Sequence, residues 1–273
     1  MQQLKLRKPA VAGQFYPASA NSLRDTIAGL VNKEATKIDA LACMLPHAGY
    51  MYSGRVAALT VSRINLKQKI ILLGPNHTGL GAAFSIMTEG AWQTPLGEVK
   101  IDSSLAGKIK ARSKYLKEDS GAHAYEHSLE VQLPILQYFR TDFEIVPILF
   151  LSDELEILKE IGQEIAGVIK EADTKDSTLI LASSDMTHYE PQADAENKDK
   201  QAIQAILELD EDGLMHKIKS LNISMCGYAP VIVMIKTAKL LGAKFAELVK
   251  YQTSADVTGD KDSVVGYAGI IMH

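Results

Sequence analysis

The sequence of 273 residues has few cysteines and no long hydrophobic stretch. Its two cysteines, Cys43 and Cys226, are too few for a disulfide framework in a chain of this size, which favours a reducing compartment. The longest apolar runs, residues 146–151 and 229–235, are far shorter than a membrane span. The first residues contain no apolar segment of the length that a secretory signal needs. We therefore expect a cytoplasmic protein that has no membrane partner.

The chain also lacks a basic cluster. It has 29 Lys and Arg against 33 Asp and Glu, which gives a net charge of −4. Proteins that bind nucleic acid need massed positive charge to neutralise phosphates, so we expect no nucleic-acid partner. A composition of 47% hydrophobic and 23% charged residues is that of a globular protein and excludes disordered and collagen-like classes.

Short apolar runs alternate with amphipathic stretches along the chain, which is typical of an α/β protein. The predicted strands are 40–45, 69–73, 83–88, 98–101, 143–150, 178–182, 244–251 and 264–271. The predicted helices are 22–35, 54–64, 103–111, 128–139, 153–172, 194–208, 211–221 and 229–241. Several strands are almost entirely apolar, which indicates helices on both faces of the sheet. No linker or repeat divides the sequence, so we predict a single three-layer α/β/α domain over 1–273 with a mostly parallel or mixed sheet.

Histidines and an acidic residue follow three of the predicted strands. His47 comes after residues 41–45, His77 after residues 70–73, and Asp185 and His188 after residues 179–182. In open α/β sheets, ligands bind outside the carboxyl ends of the strands. One such histidine alone is more often an ordinary loop residue, but three equivalent positions favour a shared site.

Cys226 precedes a predicted apolar helix that has Pro230 in its first turn. Ser224 or Asn222 is the predicted helix cap. The positive end of the helix dipole lowers the pKa of a thiol and favours a metal-binding or nucleophilic thiolate. The alternative is a small buried apolar residue, which is the interpretation that we adopt for Cys43 inside a strand.

The segment from His123 to His127 matches H-x-x-E-H, a zinc-peptidase motif. That chemistry needs both histidines in mid-helix, whereas Ser120 and Gly121 predict a loop directly before His123. A metallopeptidase therefore stays the third hypothesis. Dinucleotide-binding, P-loop and serine-hydrolase motifs are absent, and the segment around Trp92 is predicted to be a turn between strands.

The motifs together resemble the Memo family over almost the whole chain. They comprise Gln14-Phe-Tyr-Pro17, Pro46-His-Ala-Gly-Tyr50 with Ser53-Gly54, Gly74-Pro-Asn-His77, Glu126-His-Ser-Leu-Glu130 with Leu133-Pro134, Ser183-Ser-Asp185 with His188-Tyr189, and Cys226-Gly227. The resemblance implies a fold similar to the class III (LigB-like) extradiol dioxygenases, which are non-haem iron enzymes. It also implies a place in the AmmeMemoRadiSam system, with an AMMECR-type protein and a radical SAM protein as partners.

Carried over residue by residue, the resemblance implies that His47 and His77 are metal ligands and that Cys226 replaces the ligating carboxylate. It implies that His188 is catalytic, with Asp185 beside it. A thiolate is softer than a carboxylate, so iron(II) or copper is the expected metal, with zinc as a third option.

Three functions follow from these residues. The first is a metal-dependent redox enzyme in which Asp185 orients His188 or a water, while His127 and Glu130 line the substrate side. The second is a non-catalytic module that binds a peptide or another anionic or aromatic ligand. Its expected contacts are Tyr50, Tyr52, Trp92 and Tyr189 as walls and Arg55 as a positive group. The third is the metallopeptidase that needs His123.

Overall fold

One large mixed sheet organises the computed structural model, which describes residues 6–273. Its strands are β1 (Leu6–Arg7), β2 (Ala42–Leu45), β3 (Lys69–Pro75), β4 (Phe84–Ile86), β5 (Ala91–Thr94), β6 (Gly97–Ile101), β7 (Lys117–Glu118), β8 (Glu144–Phe150), β9 (Thr178–Ser183), β10 (His188–Glu190), β11 (Ala246–Thr253) and β12 (Val264–Met272). The strand order is β1-β5-β6-β8-β3-β9-β2-β12-β10, with β11 beside β12 and β4 beside β7 and β8.

The centre of the sheet is parallel and its edges are mixed. Strands β6, β8, β3, β9 and β2 run parallel to one another. Strand β12 runs antiparallel to β2, β10 and β11, and β5 runs antiparallel to β6. Parallel strands need crossover connections, and the intervening helices supply them.

The helices are α1 (Ala20–Ala28), α2 (Tyr50–Ser62), α3 (Ser103–Arg112), α4 (Ser120–His123), α5 (Gln132–Phe139), α6 (Leu155–Glu171), α7 (Gln192–Leu207), α8 (Glu211–Ser220), α9 (Tyr228–Leu241) and α10 (Ala255–Thr258). A short 3-10 turn, Lys175–Ser177, precedes β9. Helix α9 packs on the central parallel strands and against α6 and α8, while α2 packs on β2, β11, β12 and α5. No helix in residues 6–273 is both long enough and apolar enough to cross a bilayer.

Successive residues of the central strands are buried, so both faces of the sheet are covered. Every residue of β9 is buried, and so is every residue of β3 after Lys69. Full burial on alternating faces explains why these strands are apolar rather than alternating. The predicted α/β class with a mixed, mostly parallel sheet is confirmed.

The order of the central strands positions the site. Strand β9 lies between β3 and β2, and all three run in the same direction. Their carboxyl ends therefore meet at one edge of the sheet, which brings the loops after Leu45, Pro75 and Ser183 together.

Three predicted boundaries are wrong for local reasons. Trp92 lies in strand β5, and the turn comes only after Thr94. The first helix ends at Ala28, because the chain turns at Gly29 instead of continuing to residue 35. Helix α5 begins at Gln132 rather than at residue 128, because the residues before it form turns around buried carboxylates.

Candidate metal centre

The loops after β2 and β3 bring two histidines to the cysteine that precedes α9. The ligand atoms of His47, His77 and Cys226 all lie within 4.8 Å of one another. His47 Nε2 lies 3.2 Å from Cys226 Sγ, and the two imidazole rings are 5.1 Å apart in an edge-to-face arrangement. Two nitrogens and a sulfur at these separations fit around one metal ion.

A hydrogen-bond network fixes the orientation of the buried His47 ring. The Ser183 hydroxyl donates to the carbonyl of Ser128 at 2.6 Å and accepts from the Gln132 amide at 2.8 Å. The single O–H of Ser183 is used in the hydrogen bond to Ser128, so Ser183 can only accept from His47. His47 Nδ1, 2.9 Å away, is therefore the donor in that hydrogen bond. Nε2 therefore carries the lone pair and faces Cys226, as metal ligation requires.

Glu126 holds the second histidine in the same way. Its buried carboxylate accepts a hydrogen bond from His77 Nδ1 at 3.0 Å. It also accepts hydrogen bonds from the backbone N–H groups of His77 and Ser128. Burial alone would raise the pKa of Glu126, but these hydrogen bonds and the nearby histidine charges lower it to about 2. The ionised carboxylate thus leaves His77 Nε2 available for a metal, which is a carboxylate–histidine arrangement common behind metal ligands.

Close packing places Cys226 at the same edge of the sheet. The backbone N–H of Gly227 donates to Ser184 Oγ at 2.9 Å, and Gly227 precedes the first residue of α9. A Cβ atom at Gly227 would lie 2.3 Å from the Ser183 carbonyl oxygen, so only glycine permits this approach. Helix α9 has no side-chain cap; the predicted cap Ser224 hydrogen-bonds to His188 instead.

Burial, together with the Asp185 charge, raises the pKa of the Cys226 thiol. The predicted lowering by the helix dipole is therefore wrong for the thiol on its own. A bound metal ion would have to supply the charge that displaces the proton. Burial also lowers the pKa of His47 well below its ordinary value, with the three other cleft histidines adding to the effect, and a neutral imidazole is the form that ligates metals.

Asp185 and His188 lie beside the cluster, and each has a hydrogen-bond partner other than the other. Asp185 Oδ1 accepts the backbone N–H of His47 at 2.7 Å, so it positions the ligand loop, and burial raises its pKa to about 6. The His188 ring donates from Nδ1 to the carbonyl of Ser224 at 2.9 Å. This leaves His188 Nε2 as the nitrogen available to the cleft. Ser224 rather than Asp185 orients the His188 ring, and the alternative expectation, that Asp185 orients a water, stays a prediction.

His127 completes a group of three rings. It stacks on His77 with ring centroids 4.7 Å apart, and its edge contacts Phe15 at 4.8 Å. Its Nδ1 lies 3.4 Å from Glu126 Oε1, so His77, Glu126 and His127 also form a group with metal-like spacing. We do not interpret this group as a second metal site, because the Glu126 carboxylate already accepts the His77 ring and the backbone N–H groups of His77 and Ser128.

His47 and His77 of the cluster line the floor of an open cleft of about 1070 Å³. The walls include the rings of Phe15, Tyr50, Tyr52, Tyr189 and Tyr267, and the four histidines His47, His77, His127 and His188. Three predicted contacts lie elsewhere. Trp92 is buried beneath the Arg7 guanidinium, 4.3 Å from the ring centroid, and Arg55 is an exposed residue of α2 outside the cleft.

The third misplaced residue is Glu130, which is buried away from the substrate side in an ion pair with Arg7. His123 is likewise outside the cluster. It ends the short helix α4, its Nδ1 lies 2.9 Å from the carbonyl of Asp119, and its ring packs edge-on against Trp92 at 6.0 Å. Neither group of metal-like spacing within residues 6–273 includes it. The geometry therefore gives the metallopeptidase hypothesis no support.

Sequence reasoning missed the residues that hold the ligands in place. Ser183, Glu126 and Ser224 all orient a cleft histidine, and Gln132 supports Ser183. Ser183 was visible as the residue at the end of a buried strand, where ligand-supporting groups collect. No pattern in the sequence distinguishes Glu126 from Glu130.

A family model described as Memo-like protein matches residues 7–271. The chain belongs to the Memo family. Its relatives include MEMO1 family proteins of Aquifex aeolicus, 46% identical, Methanopyrus kandleri, 44% identical, and Methanocaldococcus jannaschii, 41% identical. Each alignment covers 98% of this chain and 99% of the relative. The resemblance to the Memo family that the motifs indicated is confirmed, and the similarity spans almost the whole length of these relatives.

The donor set of this Memo chain fits a transition-metal ion. Two imidazoles whose Nδ1 atoms have fixed partners and one thiol converge on one side, and the cleft opens on the other. Such a set suits copper, iron or zinc better than hard ions such as magnesium, which prefer oxygen ligands.

Proposed function

We propose that this Memo-family chain is a metal-dependent redox enzyme that holds one iron or copper ion with His47, His77 and Cys226. The observation that carries the proposal is the fixed presentation of His47 and His77 to Cys226. Ser183 and Glu126 occupy both Nδ1 atoms, so both Nε2 atoms are directed to the sulfur side. Two histidines with only a structural role would not need hydrogen-bond partners at both Nδ1 atoms.

The thiolate supports a redox metal rather than a purely structural one. Sulfur donates more charge than a carboxylate and favours copper(I), zinc or a thiolate-ligated iron. A structural zinc site normally has four protein ligands, whereas this cluster offers three and faces an open cleft. A bound iron or copper ion would supply electron transfer to or from a substrate in that cleft; zinc is the third candidate and would supply Lewis acidity instead.

The remaining cleft residues support proton handling. We propose His188 as the general base, because its Nδ1–H is engaged with the Ser224 carbonyl and Nε2 is left free on the cleft side. Asp185 has a pKa raised to about 6 and holds the backbone of the His47 loop, so it is the proposed partner in proton transfer. His127, in van der Waals contact with His77, is the proposed substrate-contacting residue.

A second candidate is a non-catalytic binding module. The observation that favours it is the width of the cleft, whose aromatic walls extend well beyond the metal cluster. Drug-sized ligands typically occupy pockets of about 300–1,000 Å³. Turnover of any substrate by the metal-loaded protein separates the two candidates, since a binding module releases its ligand unchanged.

The metal proposal is tested by anaerobic competitive titration of the wild-type protein and two variants. Cys226→Glu should lower copper(I) affinity more than iron(II) affinity, because a carboxylate is a poor ligand for a soft ion. Cys226→Ser should weaken the binding of both metals, since a neutral hydroxyl replaces a charged thiolate. Cys43→Ala is the matched control, because Cys43 is a fully buried core residue of β2.

Unchanged copper(I) affinity in both Cys226 variants would show that the thiol is not a ligand. The metal centre would then fail and the binding module would be favoured. A loss of metal in Cys43→Ala equal to that in Cys226→Ser would have the same meaning, because it would point to general destabilisation.

Partners and compartment are proposed on family and compositional grounds. The Memo resemblance supports an AMMECR-type protein and a radical SAM protein as partners. Both cysteines are free thiols, which supports a cytoplasmic location because oxidising compartments favour disulfides.

A further inference from the structure

The charged side chains of the cleft are of one sign. Apart from the four histidines, the charged residues that line it are Asp185 on the floor and Asp260 at the mouth. No lysine or arginine within residues 6–273 lines the cleft. Arg55, the predicted positive contact, is exposed on α2 outside it. An anionic ligand would therefore find no lysine or arginine to replace its hydration and would meet the Asp260 carboxylate at the mouth.

Tyr189 presents an exposed aromatic face at the same mouth. Its side chain is 77% exposed although it lines the cleft, and its φ of 59° lies in the left-handed region. Bulky residues rarely adopt this region, and such strain collects where a side chain has to be aimed at a ligand. The strain arises at the irregularity between His188 and Glu190, where β10 pairs with β12. Irregularities of this kind re-aim side chains.

Tyr189 and Asp260 belong to the same wall. Glu190 pairs with Val264, and the backbone N–H of Gln192 donates to the carbonyl of Lys261 at 2.9 Å. These two links hold the Tyr189 segment against the loop that carries Asp260. Tyr52 and Phe15 add two more rings to the same cleft.

We infer that the ligand of this cleft is an organic cation whose ammonium or guanidinium group binds between Asp260 and Tyr189. Aromatic faces attract cations through their quadrupole, and a carboxylate beside them adds a direct opposite charge. The inference deepens the proposed function, because it takes the cleft over the metal cluster as the substrate site. The same chemistry is offered by a small free amine and by an arginine or lysine side chain of a peptide.

Binding of matched probes to the wild-type protein tests the inference. Benzyltrimethylammonium and phenylmethanesulfonate have similar size and opposite charge, and neither is a strong metal ligand. Isothermal titration should show tighter binding of the cation. Terminally blocked Gly-Arg-Gly and Gly-Glu-Gly form the peptide arm. A preference for the arginine peptide that exceeds the preference for the quaternary ammonium points to a peptide source, and the reverse points to a free amine.

Variants of the loop supply a matched control. Asp260→Asn should weaken binding of the cation about two- to fivefold, the size of an exposed ion pair, and Asp260→Lys should abolish the preference for the cation. Asp262→Lys makes the same charge change two residues away at an exposed position outside the cleft, so it should leave the preference intact. Tyr189→Leu should weaken binding of the cation about two- to fivefold, because the aromatic ring is lost.

Two results would overturn the inference: binding of the sulfonate as tightly as the cation, or equal effects of Asp260→Lys and Asp262→Lys. The cation does not need the metal, so this test stands whatever the Cys226 titration shows. Conversely, failure here leaves the metal proposal intact, because metal content is measured separately in each variant.

Discussion

Two buried glutamates four residues apart serve two different regions of the molecule. Glu126 accepts hydrogen bonds from His77 and lies behind the metal cluster. Glu130 forms an ion pair with Arg7 and accepts the backbone N–H groups of Ala10 and Val11 at 2.7 and 3.0 Å. The Glu126 carboxylate orients the His77 ring, while the Glu130 carboxylate holds the N-terminal segment in place through hydrogen bonds.

The comparison shows that identical residues in one motif can divide between chemistry and architecture. Both carboxyl groups are inaccessible to solvent, and both have charged or hydrogen-bonding partners that offset their desolvation. Glu130 also accepts the Tyr16 hydroxyl at 2.6 Å, and Tyr16 lines the cleft. Glu130 therefore shapes the cleft wall only through the segment that it holds.

The largest effect should come from Glu130→Ala, which leaves the Arg7 charge buried and unpaired. We expect a loss of about 3–5 kcal/mol in the free energy of unfolding, measured by urea denaturation. The control is Glu34→Ala at an exposed position, where a change within about 0.5 kcal/mol is expected. A loss below about 1 kcal/mol for Glu130→Ala would show that this ion pair does not secure the N-terminal segment.

Glu126→Gln should act mainly on the metal. The side-chain amide places a donor opposite groups that already donate, so the His77 ring loses its fixed orientation. Metal affinity should fall about 10- to 100-fold. Because the pKa of Glu126 is about 2, the carboxylate is ionised throughout ordinary buffers, so the difference from wild type should persist between about pH 5 and pH 8. Equal metal affinity of the two proteins would assign Glu126 to the fold alone.

The smallest effect should come from Ser183→Ala, which removes a neutral acceptor behind His47 instead of a charged one. We expect metal affinity to fall about tenfold, at the lower end of the range for such supporting groups. Ser85→Ala is the control, because Ser85 is a buried serine of β4 whose hydroxyl has no partner in residues 6–273. A larger loss of metal affinity in Ser183→Ala than in Glu126→Gln would show that Ser183 matters more than Glu126 for orienting the histidines.

Periodicity predicted the α/β fold, and the positions of His47, His77 and Cys226 at strand and helix ends predicted that they share a site. Their role as metal ligands came from the family resemblance and stays a prediction. The apolar runs before His47 and His77 mark strands that are buried on both faces, whereas their order in the sheet, with β9 between them, is visible only in the structure. Strand β10 was missed because three residues, His188–Glu190, carry no periodic signal. Trp92 and Glu130 were misplaced because the partner of both, Arg7, lies more than eighty residues away in the sequence.

The separation of the ligands along the chain has a consequence for biosynthesis. His47 and Cys226 are 179 residues apart, and the cleft is lined by residues from Gly13 to Tyr267. His47, His77 and Cys226 cannot meet until nearly the whole chain has left the ribosome, so the proposed metal ion would bind the finished fold and could not nucleate it. A ligand present at a thousand times its dissociation constant adds about 4 kcal/mol to stability. If the proposed metal site is occupied in the cell, the metal supply would therefore also set how much of the newly made protein survives.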